Sequence, residues 1–483
     1  MDVISVLLVA LVLAFSVLWM VCSFLMRYYW VASALRPVME KQGIRGSPNP
    51  PNPIFDVFYG KPDMKEISHD ILPHVLPWAA QHIKFYGNVH LNWWLREPRI
   101  VISEPKIIWD LLMKKHKDFV KSHFIKVFSD DIFHKGLFHA NGEDWARQRQ
   151  IVAPRYYIDE VKAMVGAVNN ATSQVMAKWE AFVKDSGDVE RELDVQVEFM
   201  NLNVDVVART TLGLENSDFQ NILKLIPFGI NVERWKVRKQ FNDLVRKQVR
   251  ERRKRTTGNN VDFIGMLLDN PDVREDVIVA ELKTLYATGF ISLAPLLSFT
   301  MLMLALYPDW QEKARQEVDQ VLDGEVDQVL DGEVVSPKDI EMILRETLRL
   351  YPTMPLIARV CIKDTMLGDV FIPKGLGVSV NVVALHHDRD LWGDDVNEFN
   401  PSRFKNGTAT AAKHPMAFMP FAYGVRTCIG RAFSEMQCKI IIANILQRFE
   451  VKLSPNYRHH PVITGPLIPK HGMPVILKPR RNF

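Results

Sequence analysis

The sequence predicts a mainly α protein with a minor β part, standing behind one N-terminal transmembrane helix. Three observations support this. Val3 to Met26 is uncharged and apolar, apolar residues recur at helical spacing through most of Pro105 to about Arg349, and the chain from residue 351 on mixes short strand-like runs with loops before one strong amphipathic helix. Over 483 residues, 47% hydrophobic and 24% charged is ordinary globular composition, which excludes a disordered or collagen-like chain. A formal net charge of +4 is too weak for its length to argue for a nucleic-acid partner. Cys22, Cys361, Cys428 and Cys438 are too few and too scattered for a disulfide scaffold, and none forms a C-x-x-C pair.

Taken in chain order, residues 1–30 read as the anchor. Spanning ~30 Å of hydrocarbon takes about 20 helical residues, which Val3 to Met26 supplies. A cleaved signal would have an apolar region of about 7–15 residues after a positive start, whereas this one is longer and follows Asp2. Arg27 comes next, then Tyr28, Tyr29 and Trp30 as an interfacial belt, and Arg36, Lys41 and Arg45 place the body in the cytosol. Residues 31–53 form a basic and Pro-rich linker ending in SPNPPNP, too rich in proline for helix. Residues 54–483 are the body.

Asn88–Leu95 and Arg99–Ser103 read as a strand pair turning at Arg96–Pro98, and MLGDVFIP and LGVSVNVV as later strands. Glu317–Gly324 and Glu325–Gly332 are the same octamer, EVDQVLDG, too short and too few for a solenoid; it adds a turn of helix or lengthens a surface loop. Arg234 to Arg255 holds 11 basic and 2 acidic residues and reads as a solvated helix face, with a membrane-surface or nucleic-acid contact as the alternative.

Residues 421–430 read FAYGVRTCIG and precede an amphipathic helix. Cys22, Cys361 and Cys438 read as small buried hydrophobes. Cys428 differs, because a helix N-terminus and Arg426 suit a thiolate, Gly424 and Gly430 allow close backbone approach, and Phe421 can shield the sulfur.

F-x-x-G-x-R-x-C-x-G resembles the haem-ligand signature of the cytochrome P-450 family. Glu346 and Arg349 in LRETLRLYP resemble its E-x-x-R helix, and Arg403 in FNPSRF resembles the arginine completing that triad, with Ser402 where many members have Glu. Trp145 and Arg149 resemble its W-x-x-x-R element, and Arg359 another propionate ligand, as does Arg426. KQGIRG, LKTLY, ALYPDWQEKARQEV and SPNYRHHP look most like the plant clan of secologanin synthase and the cytokinin and gibberellin hydroxylases. The resemblance covers essentially the whole chain. It implies the family's fold behind the anchor, haem b held by Cys428 as iron ligand, and Trp145, Arg149, Arg359, Phe421 and Arg426 as cofactor-binding residues. It also implies dioxygen, a hydrophobic small-molecule substrate, NADPH-cytochrome P-450 reductase as partner, and a single-pass endoplasmic reticulum membrane protein.

Two departures stand out. The family's oxygen-activating helix carries an acid followed by an alcohol. The corresponding stretch here keeps Gly289, has Ser292 at the alcohol and puts Ile291 at the acid. Isoleucine holds no proton, whereas Ser292 retains a hydroxyl, and Pro295 frees the carbonyl of Ile291 as a water site. The stretch from Gly213 to Trp235 is also shorter than is usual for the clan. The expected activity is hydroxylation or epoxidation of a terpenoid, steroid or hormone-like molecule. The competing readings are a haem-thiolate isomerase, dehydratase or hydroperoxide-processing enzyme, and a haem-binding homologue without turnover.

Overall fold

The structure is a computed structural model that describes residues 14–22, 34–47, 63–94, 97–122, 136–185, 190–212, 234–254, 263–268, 273–322 and 337–480. Most of the expected anchor and linker, the stretch 213–233 and the second octamer therefore lie outside the described residues. Residues 14–22 are helical, and Phe15, Val17, Leu18, Trp19, Met20 and Val21 are all exposed there. Such a run has no apolar partner in the body, so Cys22 is exposed and not the buried hydrophobe its type suggested.

The body is built on a few long helices: α1 (Gly142–Val152), α2 (Val165–Asp185), α3 (Val195–Val207), α4 (Arg234–Lys254), α5 (Glu275–Leu306), α6 (Pro308–Leu322), α7 (Lys338–Leu350) and α8 (Arg431–Arg448). The long apolar helix expected within Glu275–Leu306 occupies that whole range as α5. Among the described residues it alone is long and apolar enough to cross a membrane, but 71% of its apolar window is buried inside the body, so it is a core helix. Ser298 and Thr300 return their hydroxyls to the carbonyls of Ala294 and Leu296, and the helix runs on through Pro295. It stops at Tyr307 because Pro308 disfavours helical geometry in the residue before it. α3, α7 and α8 pack against it. A Cβ on Gly289 would lie 3.0 Å from Val207 Cγ2, so the missing side chain lets α5 and α3 approach closely.

The main sheet has the order β1 (Val89–Trp94), β2 (Glu97–Ile102), β8 (Gly377–Asn381), β5 (Leu356–Cys361) and β3 (Phe119–Lys121). Its β2–β8 pair is parallel, with Arg99 opposite Gly377, and the other pairs are antiparallel. Trp94 pairs with Glu97, so the first turn falls earlier than Arg96–Pro98, and Pro98 sits inside the strand. Between the two pieces of this sheet, β3 and β4 (Arg191–Asp194) interrupt the otherwise helical stretch. MLGDVFIP, read as a strand, folds instead as a hairpin of β6 (Thr365–Leu367) and β7 (Val370–Ile372). β4 joins β12 (Pro474–Pro479) and β9 (Phe449–Leu453) in a second sheet, and β10 (Pro461–Ile463) pairs with β11 (Leu467–Pro469).

The first octamer closes α6. Glu317 accepts hydrogen bonds from the backbone N–H groups of Lys338 at 2.5 Å and Asp339 at 2.8 Å, so its carboxylate caps α7 across the chain. Asp319 holds Arg480 through both oxygens.

Candidate active site

Cys428 is exposed, and yet burial is the largest influence on its thiol and pushes it up. Those two facts together place the sulfur on the wall of an interior space. The Gly430 N–H and the positive charges of Arg149 and Arg431 pull the other way, and burial outweighs them. The Phe421 carbonyl accepts the Cys428 N–H at 2.9 Å, which folds the loop back on itself. Gly424 has φ +76°, and a Cβ there would meet the Leu112 carbonyl oxygen at 2.6 Å, so the loop passes where only glycine fits.

Three arginines from separate elements meet near this loop. Arg149, on α1, donates to the Thr427 carbonyl at 2.8 Å. Arg426 donates to the Ala140 carbonyl at 2.9 Å and lies 4.4 Å from the centre of the Trp145 ring. Arg359, on β5, reaches back to its neighbour's carbonyl, that of Ala358, at 2.9 Å. Burial lowers all three guanidinium groups, Arg359 and Arg426 to about 10, and Arg426 is lowered further by Arg359 and Arg149. Among the described residues no carboxylate pairs with any of them. Repelling cations on a desolvated wall call for an anion, and two propionates suit three guanidinium groups.

α5 is buried from Ile278 to Leu304 except for Thr288, Gly289, Ile291 and Ser292, which are half-buried, the side chain of Phe290 being outside the described set. This open stretch bears the one residue placed at the family's alcohol. The Ser292 hydroxyl donates to the Thr288 carbonyl at 2.9 Å, and the Thr288 hydroxyl to the Thr284 carbonyl at 2.7 Å. Ile291 packs against the apolar cluster of Val207, Leu285 and Ala287. Pro295 has no N–H to offer the Ile291 carbonyl.

Behind the site, Arg349 binds Glu346 with two hydrogen bonds of 2.8 and 2.7 Å, both residues at 0% exposure, and donates to the carbonyls of His386, Val396 and Glu398. Arg403 joins them and is gripped by Asp395 at 2.5 Å. Ser402 points out, exposed, and takes no part. Sequence reading missed Asp395, because nothing in NEFNPSRF says which loop acid folds back onto the arginine.

The Cytochrome P450 family profile matches residues 78–227 and 214–478. This chain belongs to the cytochrome P450 family. The chain is 31% identical to the Arabidopsis thaliana protein named Cytochrome P450 734A1, over 94% of either chain, and 31% identical to an Arabidopsis thaliana Cytokinin hydroxylase, over 93% of this chain and 94% of that one. Cytochrome P450 CYP72A616 of Paris polyphylla is also 31% identical, over 85% of both. As a cytochrome P450, the protein is an oxidoreductase of the monooxygenase class whose cofactor is haem b, and it uses dioxygen, a substrate and a redox partner.

Proposed function

We propose that this cytochrome P450 inserts one oxygen atom into a hydrophobic small molecule of terpenoid, steroid or hormone-like type, by hydroxylation or epoxidation. The observation that supports it best is the meeting of Arg149, Arg359 and Arg426, unpaired with any carboxylate among the described residues, beside the accessible sulfur of Cys428. In this reading Cys428 ligates the haem iron as a thiolate, and the three arginines with Trp145 hold the propionates. When bound, the haem would supply dioxygen activation, which thiolate ligation favours. Phe421 and the Gly424 turn fix the loop that presents the sulfur. Thr288, Gly289, Ile291 and Ser292 form the open stretch of α5, where Gly289 lets α3 approach closely and Ser292 orients water by its hydroxyl. Apolar packing around Ile291 suits an apolar substrate.

Electrons come from NADPH-cytochrome P-450 reductase. The exposed apolar helix at 14–22 supports a single-pass anchor in the endoplasmic reticulum membrane with the body in the cytosol. Cys428→Ala abolishes the ferrous–CO band typical of thiolate-ligated haem; a variant that keeps the band overturns the ligand assignment. One observation favours a second reading, an isomerase or hydroperoxide-processing enzyme: the open stretch of α5 carries Ile291 and no acid. NADPH-dependent oxygen uptake with reductase separates the two, since the second reading requires none.

A further inference from the structure

Monooxygenation consumes protons as it makes water, and the open stretch of α5 offers none: Thr288, Gly289, Ile291 and Ser292 are not acids. The buried acid on the same helix is Glu281, at 0% exposure. Its Oε2 accepts the Leu137 N–H at 3.0 Å, whereas its Oε1 is buried without a hydrogen-bond partner. Thr284, three residues on, has a buried hydroxyl oxygen that likewise lacks a partner. At 100° per residue, positions 281, 284, 288 and 292 fall within about 80° of one another, so Glu281, Thr284, Thr288 and Ser292 form one polar stripe along the helix. Leu137 lies in the segment whose Ala140 carbonyl receives Arg426, so the acid is tied to the wall that bears the arginines.

We propose that Glu281 is the proton reservoir of the oxygenation reaction, passing its proton along the Thr284–Thr288–Ser292 stripe to the open stretch of α5. This rests on the haem-thiolate reading above. The carboxyl O–H bond breaks, the proton moves onto ordered water, and the carboxylate that remains regains a proton from bulk water before the next turnover. Eleven residues of helix span about 16 Å, and successive hydroxyls lie about 4.5–6 Å apart along it, a distance that one bridging water spans by hydrogen bonds. Thr288 and Ser292 rest with their hydroxyls turned onto their own helix, and rotating them outward opens the path. Burial holds the Glu281 carboxyl up at about 8, so it carries its proton at neutral pH. The group facing it is the Leu137 N–H, with the Tyr156 phenol beyond, whose ionisation Glu281 and Cys428 oppose and Arg155 favours. No cation pairs with Glu281 among the described residues.

Glu281→Gln removes the proton and keeps an oxygen for the Leu137 N–H. In the haem-loaded protein, infrared spectra at pH 7 should show a protonated-carboxyl band that is missing in Glu281→Gln and present in Glu281→Asp. With reductase and NADPH and no added substrate, the ratio of peroxide to water formed from dioxygen should rise about tenfold in Glu281→Gln. That ratio should climb in the wild type above about pH 8 and stay flat in the variant. If the wild type lacks the thiolate ferrous–CO band, the haem-thiolate reading fails and this relay with it. If the band is intact and Glu281→Gln changes neither the infrared band nor the peroxide share, the relay alone is overturned.

Discussion

Arg403 Nε lies 3.4 Å from Glu346 Oε1 without hydrogen-bonding it, whereas Arg349 takes both oxygens of the same carboxylate. The triad is therefore one buried pair plus an arginine whose own hydrogen bonds go to Asp395 and to the carbonyls of Trp392 and Asp395.

Glu346→Ala strands the buried Arg349 charge, so it should cost about 3–5 kcal/mol of stability. Arg403→Ala leaves the Glu346–Arg349 pair whole and should cost less than half as much. Denaturant unfolding of the two haem-loaded variants ranks them, and equal losses would show that Arg403 is as integral as Arg349.

Arg359→Ala removes a desolvated guanidinium whose one recorded hydrogen bond is to its neighbour's carbonyl. If it holds a propionate, losing a charge-assisted bond of about 1.5–3 kcal/mol speeds haem loss roughly tenfold or more. Haem transfer to an excess of a haem-scavenging apoprotein measures it. Because the cation repels Arg426 without haem, the same variant should leave the apoprotein no less stable.

Gly424→Ala meets both a left-handed backbone and the Leu112 carbonyl, where the added carbon would sit 2.6 Å away. Strain of about 1–3 kcal/mol should displace the Cys428 loop. The readout is a diminished thiolate ferrous–CO band with the far-ultraviolet circular dichroism unchanged.

Ser292→Ala should raise the peroxide share, and Ile291→Glu should lower it by placing an acid on the open stretch itself. If neither variant moves the share of oxygen lost as peroxide, proton supply does not pass through this stretch.

Acid should destabilise the fold early. Burial lowers His69 and His386 to about 3, and His90 and His459 to about 4, against an ordinary value of 6.5. The unfolded chain binds protons at these sites as pH falls below 6.5 while the folded chain does not, so their stabilisation is complete above 6.5 and is lost on the way down to about 3. Each such proton is worth up to about 1.4 kcal/mol per pH unit. The melting temperature should fall steadily from pH 6.5 to 4.5, and a flat profile there would contradict the burial of these rings.

Local patterns made the helices legible. The long apolar run placed α5 within Glu275–Leu306, and the spacing of Glu346 and Arg349 put both on one face of α7. Partners distant in sequence were not legible. The parallel pairing of Arg99 with Gly377 joins segments with no local sign of each other, and Asp395 reaches Arg403 only through a loop fold. The Cys428 thiol shows the same limit: helix dipole and neighbouring charge can be read from sequence, but the burial that outweighs them cannot. The proton on Glu281 was hidden for that reason too, since a glutamate near the start of a long helix looks like an ordinary surface acid until its neighbours are known.

The cap that Glu317 places on α7 separates the two copies of the octamer in their consequences. Both ends of the connection between α6 and α7 are pinned by the first copy, through Glu317 at the α7 amides and Asp319 at Arg480. The second copy falls wholly within residues 323–336, downstream of the pins. Doubling the length of a tethered connection costs only about 0.6 kcal/mol in closure entropy. A change in octamer copy number would therefore lengthen or shorten a connection whose ends the first copy already holds, at a closure-entropy cost of that size.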